Sequence, residues 1–132
     1  MLKAIRNLDY TILFCQDVEA QKHFYQDVLG FPIYRDVGQW VELQVGASLL
    51  TLARRGTGYE GVREQHGAPP LAGAAALQLA FRVTPAQVES CFAELQQKGV
   101  AILQPPRDQA TGHRTLFFKD PEGTILEIYA EL

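Results

Sequence analysis

The feature that most limits how this chain can fold is a repeat, because the same order of predicted elements occurs twice. A strand, a helix and three strands are predicted in residues 5–53, and the same order recurs in residues 75–130. In both halves the strands alternate apolar and polar residues, and the helix carries an apolar stripe at helical spacing. The chain is therefore predicted to be an α+β protein built from two tandem βαβββ modules.

The first half shows ordinary start and stop signals for its elements. Residues 5–15 form the first predicted strand, and Asp17 is placed to cap a helix over residues 18–29. Gly30 stands where helices commonly end, and a proline follows soon after. Three short strands complete this half, at residues 32–36, 40–45 and 48–53.

The second half repeats these signals. A strand is predicted at residues 75–83, and Thr84 with Pro85 begins a helix that ends before Gly99. Prolines at positions 105 and 106 are predicted to end the next strand, which covers residues 100–104. A polar loop is predicted at residues 107–111, before a final hairpin.

The final hairpin, in residues 112–130, carries the first candidate functional residue. Its turn is predicted at Asp-Pro-Glu-Gly, positions 120–123, where Asp bonds to nearby backbone and Gly accepts a positive φ. In the returning strand Glu127 shares one face with Ile125 and Tyr129. A carboxylate among apolar neighbours needs a partner, a metal or water, unless its strand lies at an edge and faces solvent.

Composition excludes several functional classes. The 132 residues suit one domain or two small fused modules, and the net charge is −3 without a basic cluster, so nucleic-acid binding is not expected. No apolar run approaches membrane-spanning length, and no signal-peptide pattern begins the chain. Cys15 and Cys91 lie far apart in apolar patterns, which indicates reduced thiols and a cytoplasmic protein.

Residues 54–74 interrupt the repeat. They contain several glycines, a Pro-Pro pair and scattered charges without sustained periodicity, so they are predicted to be a linker or binding loop. The predicted organisation is a first module at 1–53, this linker at 54–74 and a second module at 75–132, together forming one compact domain.

Two segments, together with the duplicated order, resemble a known family. FYQDVLGF at residues 24–31 and DPEGTILEI at residues 120–128 are similar to segments of the vicinal oxygen chelate superfamily. This superfamily includes glyoxalase I, extradiol dioxygenases, fosfomycin-resistance thiol transferases and bleomycin-resistance proteins. The resemblance implies that the two modules form a curved mixed sheet around a cleft.

The resemblance also implies where a metal would bind. Metal-containing members draw ligands from the first and last strands of each module, which correspond here to Tyr10 and Thr51, then Gln78 and Glu127. Tyr10 and Gln78 are equivalent positions of the two modules, as are Thr51 and Glu127. Tyr10 stands where a His is usual, and Thr51 where glyoxalases place a Glu, so a metal cofactor is not expected. The alternative is one divalent ion held by Gln78 and Glu127.

The function that this pattern favours is metal-free binding of a small molecule, similar to the bleomycin-resistance branch. The ligand would be amphipathic or aromatic, and the resemblance implies a homodimer. Two alternatives stay open: a glyoxalase-like lyase or isomerase that uses the metal, and metal-free acid–base catalysis with Glu127 as base and Tyr10 as its partner. A structural or regulatory role also remains. His113 is either a rim residue or a ligand contact. The predicted ligand-binding residues are Tyr10, Phe14, Trp40, Thr51, Gln78, Arg82, His113, Glu127 and Tyr129.

Overall fold

The structure, a computed structural model, describes residues 1–56 and 77–132. The chain divides into two compact units, Met1–Pro70 and Leu71–Leu132. Most of the predicted linker and the first residues of the strand predicted at 75–83 lie outside the described residues. The module boundaries therefore stay a prediction.

The described part of the first unit contains a helix and one four-stranded sheet. The sheet order is β1-β4-β3-β2, with β1 parallel to β4 and the other pairs antiparallel. The elements are β1 (Tyr10–Cys15), α1 (Val18–His23), a π-helical turn (Phe24–Val28), β2 (Ile33–Asp36), β3 (Trp40–Val45) and β4 (Ser48–Arg54).

The second unit repeats this topology. Its sheet order is β5-β8-β7-β6, again with one parallel pair, β5 with β8, and two antiparallel pairs. The elements are β5 (Gln78–Arg82), α2 (Pro85–Gln97), β6 (Ile102–Asp108), β7 (His113–Lys119) and β8 (Ile125–Glu131). The predicted α+β fold class with two βαβββ modules is confirmed, and each module has a mixed sheet of its own.

The strand register preserves the equivalences predicted from the sequence. In the first unit Thr51 lies opposite Ile12, which is two residues beyond Tyr10. In the second unit Glu127 lies opposite Ala80, which is two residues beyond Gln78. The duplication therefore extends from the order of elements to the pairing of individual residues.

One face of each sheet is apolar and packs against the helix of its own unit. Helix α1 contacts β3 and β4, while α2 contacts β6, β7 and β8. Side chains on these faces are almost fully buried, as burial of apolar surface requires. They are Leu13, Cys15, Val41, Leu43, Leu50 and Leu52 in the first unit, and Leu116, Phe118, Leu126, Ile128 and Ala130 in the second.

Helix α1 begins as predicted and ends in a wider turn that the sequence did not indicate. The Asp17 side chain accepts a hydrogen bond from the Ala20 amide at 3.0 Å. Further along, the Leu29 amide donates to the Phe24 carbonyl five residues back, at 3.0 Å, which defines the π turn. Tyr25 in this turn is fully buried, with its ring edge-to-face against Phe24 at 5.2 Å.

Helix α2 begins with the predicted cap. The Thr84 hydroxyl and the Gln87 side chain form a capping box, in which the Thr84 amide donates to Gln87 Oε1 at 2.9 Å. Val88 and Leu95 are the buried members of the predicted stripe. Across the described ranges, no helix is long and apolar enough to cross a membrane.

The hairpin turn between β7 and β8 forms where it was predicted. Asp120 is buried, and its Oδ1 accepts hydrogen bonds from the amides of Glu122 at 3.0 Å and Thr124 at 2.9 Å. Gly123 has a φ of +88°, a conformation that glycine adopts without steric cost. This turn sets the register that places Glu127 opposite Phe117.

Two strand boundaries predicted from the sequence are wrong. Strand β1 begins at Tyr10 instead of residue 5, and a short 3-10 helix, Leu2–Ala4, precedes it. Strand β6 continues through both prolines to Asp108, so the predicted polar loop is shorter. The prolines are tolerated because, among the described strands, β6 pairs only with β7, and because the register shifts between Gln104 and Arg107, where no ladder amide is required.

Candidate functional site

The sheet face opposite the apolar core carries the candidate functional residues in each unit. We name these the first face and the second face. The first face comprises Ile12, Phe14, Trp40, Glu42, Thr51 and Ala53, which are linked by the β1–β4–β3 register. The second face comprises Gln78, Ala80, Arg82, His113, Thr115, Phe117, Glu127, Tyr129 and Glu131.

Five of the predicted site residues meet on the second face. Two register rows cross the neighbouring strands β5, β8 and β7. In one row Arg82 lies opposite Tyr129, and in the other Glu127 lies opposite Phe117. Because residues opposite each other in neighbouring strands point to the same face, these side chains are neighbours. Gln78 lies on the same face at the start of β5, and His113 lies on it at the start of β7. Tyr10, Phe14, Trp40 and Thr51 belong to the first unit.

Arg82 and His113 are held by contacts at the rim of the second face. Arg82 Nη2 lies 2.9 Å from Glu131 Oε2, in a pair whose side chains are more than half exposed. The His113 ring lies against the Tyr129 ring, with 5.0 Å between the centroids. His113 therefore contacts another predicted site residue.

Glu127 lies half-buried in the middle of the second face. Its nearest cross-strand neighbours are Ala80 and Phe117, neither of which offers a side-chain donor. Within residues 1–56 and 77–132, no hydrogen bond or ion pair to its carboxylate is formed. The carboxylate oxygens are therefore able to accept hydrogen bonds from a bound molecule or from water.

Thr115 anchors a polar cluster that the sequence analysis missed. It is buried, and its hydroxyl accepts a hydrogen bond from Gln109 Nε2 at 2.8 Å. The same Gln109 nitrogen lies 3.3 Å from Gln104 Oε1. The cluster joins β7 to the loop after β6, so it fixes that loop beside the second face.

Glu42 is the main residue of the first face that the sequence analysis missed. Only 8% of it is exposed, and its Oε1 accepts from Arg35 Nε at 2.6 Å and from Trp40 Nε1 at 3.2 Å. It stands between apolar Val41 and Leu43 in a strand. That is the same pattern that singled out Glu127, so the signal was present in the sequence.

Thr51 lies beside Glu42 on the first face. It is 1% exposed and opposite both Ile12 and Glu42 in the register. No group of the described residues forms a hydrogen bond with its Oγ1. Tyr10, at the start of β1, is half exposed.

The shifted pKa values lie away from the two faces. The hydrogen bond between Lys22 and Asp36, 2.6 Å long, raises the pKa of the lysine and lowers that of the carboxyl, which the Gly38 amide also lowers. Arg114 likewise lowers the pKa of Asp108 through a hydrogen bond. These pairs are structural. Burial raises the pKa of the Cys91 thiol, which makes a reactive thiolate there unfavourable.

The residues at the expected metal positions do not suit a divalent metal ion. Glu127 offers a carboxylate and Gln78 an amide oxygen, but Tyr10 and Thr51 offer hydroxyl groups where imidazole and carboxylate would be required. Within the two described ranges, no three His, Cys, Asp or Glu side chains are grouped so that they could hold a metal ion. We therefore derive no catalytic step through a metal.

Comparison with known proteins identifies similar sequences and folds. The family described as the glyoxalase/bleomycin resistance protein/dioxygenase superfamily matches residues 7–128. A virulence protein of Salmonella typhimurium is 28% identical over 127 residues, which cover 94% of this chain and 83% of that protein.

Two crystal structures illustrate the likeness of the fold. That of a virulence protein from Salmonella typhimurium has a TM-score of 0.74 at 25% identity, covering 97% of this chain and 98% of that one. A glyoxalase-related enzyme from Fulvimarina pelagi has a TM-score of 0.79 at 20% identity, covering 96% of this chain and 89% of that one. At the lower identity the likeness concerns the fold alone.

Proposed function

The chain belongs to the glyoxalase/bleomycin resistance protein/dioxygenase superfamily, and from this premise we propose that it is a small-molecule-binding protein that works without a metal ion. The proposed ligand is an amphipathic or aromatic compound. Because one fold hosts many unrelated functions, the proposal depends on the side chains that this chain carries.

The observation that carries the proposal is the composition of the second face. Two aromatic side chains, Phe117 and Tyr129, lie in neighbouring register rows next to Glu127 and Arg82. Small-molecule sites are typically apolar surfaces with a few placed polar groups that fix orientation. The aromatic rings suit a flat apolar body, and the carboxylate suits a ligand group that donates a hydrogen bond.

The chemistry of Glu127 supports binding by hydrogen bonding. Its carboxylate has no partner among the described residues, and it is half-buried, so a ligand N–H or O–H that reaches it replaces water with a charge-assisted hydrogen bond. Gln78 on the same face offers both a donor and an acceptor. These groups act on a ligand without the help of a metal ion.

The proposal is tested by metal analysis and by a ligand panel. We expect the purified protein to contain no stoichiometric divalent metal, and we expect aromatic amphipathic compounds to raise its melting temperature. Tyr129→Ala should weaken binding of the best compound about tenfold, since buried aromatic contacts commonly contribute more than 1 kcal/mol. Tyr34→Ala, which removes an exposed tyrosine of β2, is the matched control.

The outcomes separate the alternatives. One equivalent of a divalent metal that is lost in Glu127→Gln would overturn the metal-free proposal in favour of a glyoxalase-like enzyme. A Glu127→Gln variant that binds a compound normally but no longer converts it would favour acid–base catalysis. If no compound of the panel changes the melting temperature, the binding proposal is wrong.

A further inference from the structure

The first face contains a buried hydroxyl whose hydrogen-bonding capacity is unused. Thr51 and Glu42 are directly opposite in the antiparallel β3–β4 pair, where Cβ atoms are usually about 5 Å apart. Thr51 is 1% exposed, yet no described residue forms a hydrogen bond with its Oγ1. Buried polar groups nearly always have a partner, so this exception points to a group that binds there.

The Glu42 carboxylate next to this hydroxyl is held in a fixed orientation. Both of its hydrogen bonds, from Arg35 Nε and Trp40 Nε1, end on Oε1. Oε2 therefore keeps its capacity to accept. Because the Arg35 guanidinium offsets the carboxylate charge at 2.6 Å, the pair has no net charge, and a neutral polar group suits the site better than a free cation.

Aromatic side chains border this polar pair. Ala53 is the next residue of β4 on the same face as Thr51. Phe14 of β1 and Trp40 of β3 lie opposite Ala53, one on each side of it, and both are partly exposed. The indole N–H of Trp40 is used by Glu42, which fixes the ring next to the carboxylate. An apolar aromatic surface thus adjoins one free acceptor and one free hydroxyl.

From this arrangement we propose that Glu42 and Thr51 form a polar subsite for the carboxamide or hydroxyl group of a neutral aromatic ligand. A carboxamide donates an N–H to Glu42 Oε2 and accepts from the Thr51 hydroxyl, while its ring contacts Phe14 and Trp40. The inference deepens the proposed function, on which it rests, because it names the ligand class and two recognition residues of the first unit.

The single tryptophan of the chain makes the subsite directly observable. We would titrate the protein with benzamide and with N,N-dimethylbenzamide, which lacks the N–H donor, and follow Trp40 fluorescence. Benzamide should bind about five- to tenfold more tightly, as expected for a hydrogen bond to a charged acceptor. Thr51→Val should weaken the binding of both probes about five- to tenfold and leave the preference unchanged, because the Thr51 hydroxyl donates to the carbonyl oxygen that both probes carry.

Matched variants make the result specific. Thr11→Val changes a β1 threonine that lies opposite Leu50, on the apolar side of the sheet, so it should keep the wild-type affinities for both probes. Glu42→Gln keeps the size of the side chain and removes its charge, and it should lower the preference to about twofold or less, because the N–H of benzamide then meets a neutral acceptor. Glu42→Gln serves as the second test if circular dichroism shows that Thr51→Val is not folded.

Each outcome decides the proposal. Equal affinities for the two probes, a preference that survives in Glu42→Gln, or unchanged affinities for both probes in Thr51→Val would overturn the subsite. The absence of a saturable Trp40 response to benzamide would also overturn it. The proposed function is tested separately, by the melting temperature. It is wrong if no compound of the panel changes the melting temperature, and this measurement does not depend on Trp40.

Discussion

At the scale of single residues, two buried threonines differ in what their hydroxyl groups contribute. The Thr115 hydroxyl accepts a hydrogen bond from Gln109 at 2.8 Å, whereas the Thr51 hydroxyl has no partner among the described residues. We expect Thr51→Val to raise the free energy of unfolding by about 1 kcal/mol in the absence of ligand, because a buried unpaired hydroxyl is unfavourable. Urea denaturation measures this difference.

The same substitution at Thr115 is the control. Thr115→Val should lower the free energy of unfolding by about 1–2 kcal/mol, since it leaves the Gln109 donor without its acceptor. If Thr51→Val lowers the free energy of unfolding as much as Thr115→Val does, an ordered water must form a hydrogen bond with the Thr51 hydroxyl in solution. A residue that lowers stability in the free protein while it serves binding is typical of functional sites.

At the scale of elements, the β7–β8 turn depends on one carboxylate. Asp120 Oδ1 accepts from two backbone amides, and the residue is 3% exposed. Asp120→Ala should lower the free energy of unfolding by about 2–3 kcal/mol, because both amides lose their acceptor. Asp120→Asn keeps an acceptor oxygen and should be clearly milder. Equal effects in thermal denaturation would show that the loss is not due to these hydrogen bonds.

The connection between α1 and β2 should depend on pH through the Lys22–Asp36 pair. Asp36 has a lowered pKa when folded, so its contribution is present above its ordinary value of 3.8 and is lost as the pH falls through the folded pKa. The pKa of Lys22 is raised above 10.5, so its contribution is present below that value and is lost as the pH rises further.

We therefore expect Asp36→Asn to lower the melting temperature slightly at neutral pH, and we expect this deficit to shrink as the pH falls below 3.8 and the carboxyl is protonated. Differential scanning calorimetry from pH 2 to pH 8 measures the difference. Asp9→Asn, at an exposed aspartate before β1, is the matched control, and its melting temperature should stay close to that of the wild type at every pH. A deficit of Asp36→Asn that does not shrink between pH 8 and pH 2 would contradict the prediction.

Elements were predictable from the sequence where one local signal decides the conformation. The Asp17 cap, the Thr84 cap and the Asp120 turn each act within a few residues, and all three form as predicted. The end of β6 was predicted wrongly because a strand tolerates prolines only at an edge position or a register shift, and neither is a local property of the sequence. The π turn after α1 likewise has no pattern of its own.

The candidate site was predictable only in part, for a related reason. Glu127 stood out because the hairpin register could be inferred from its turn. Glu42 carries the same pattern of a carboxylate between apolar neighbours, but its burial depends on Arg35 and Trp40, which reach it from a neighbouring strand and along its own. Pairing of side chains across strands is therefore the step that sequence patterns leave undetermined.

At the scale of the whole molecule, the chain repeats one βαβββ unit and fills equivalent positions with different chemistry. Thr51 and Glu127 occupy corresponding places in β4 and β8, yet one is a buried hydroxyl and the other a half-buried carboxylate. Duplication thus fixes where functional groups stand and leaves their identity free. This is why membership of the superfamily constrains the location of the site more than its reaction.

The predicted homodimer provides the test at this scale. Four large apolar side chains near the start of the chain are exposed to between 74% and 103%: Met1, Leu2, Ile5 and Leu8. Large apolar side chains that are exposed so close together in the sequence favour an interaction surface, so we expect this segment to take part in the dimer.

Replacing Leu2 and Leu8 together by Glu should weaken dimerisation at least about tenfold, because association would then desolvate two charges instead of burying two leucines. Sedimentation velocity at several concentrations measures the change. Val37→Glu, which places the same charge at a residue that is 62% exposed in the β2–β3 turn, should leave dimerisation unaffected. A wild-type protein that is monomeric throughout would refute the predicted homodimer, and an unchanged dimer in the double variant would place its interface elsewhere.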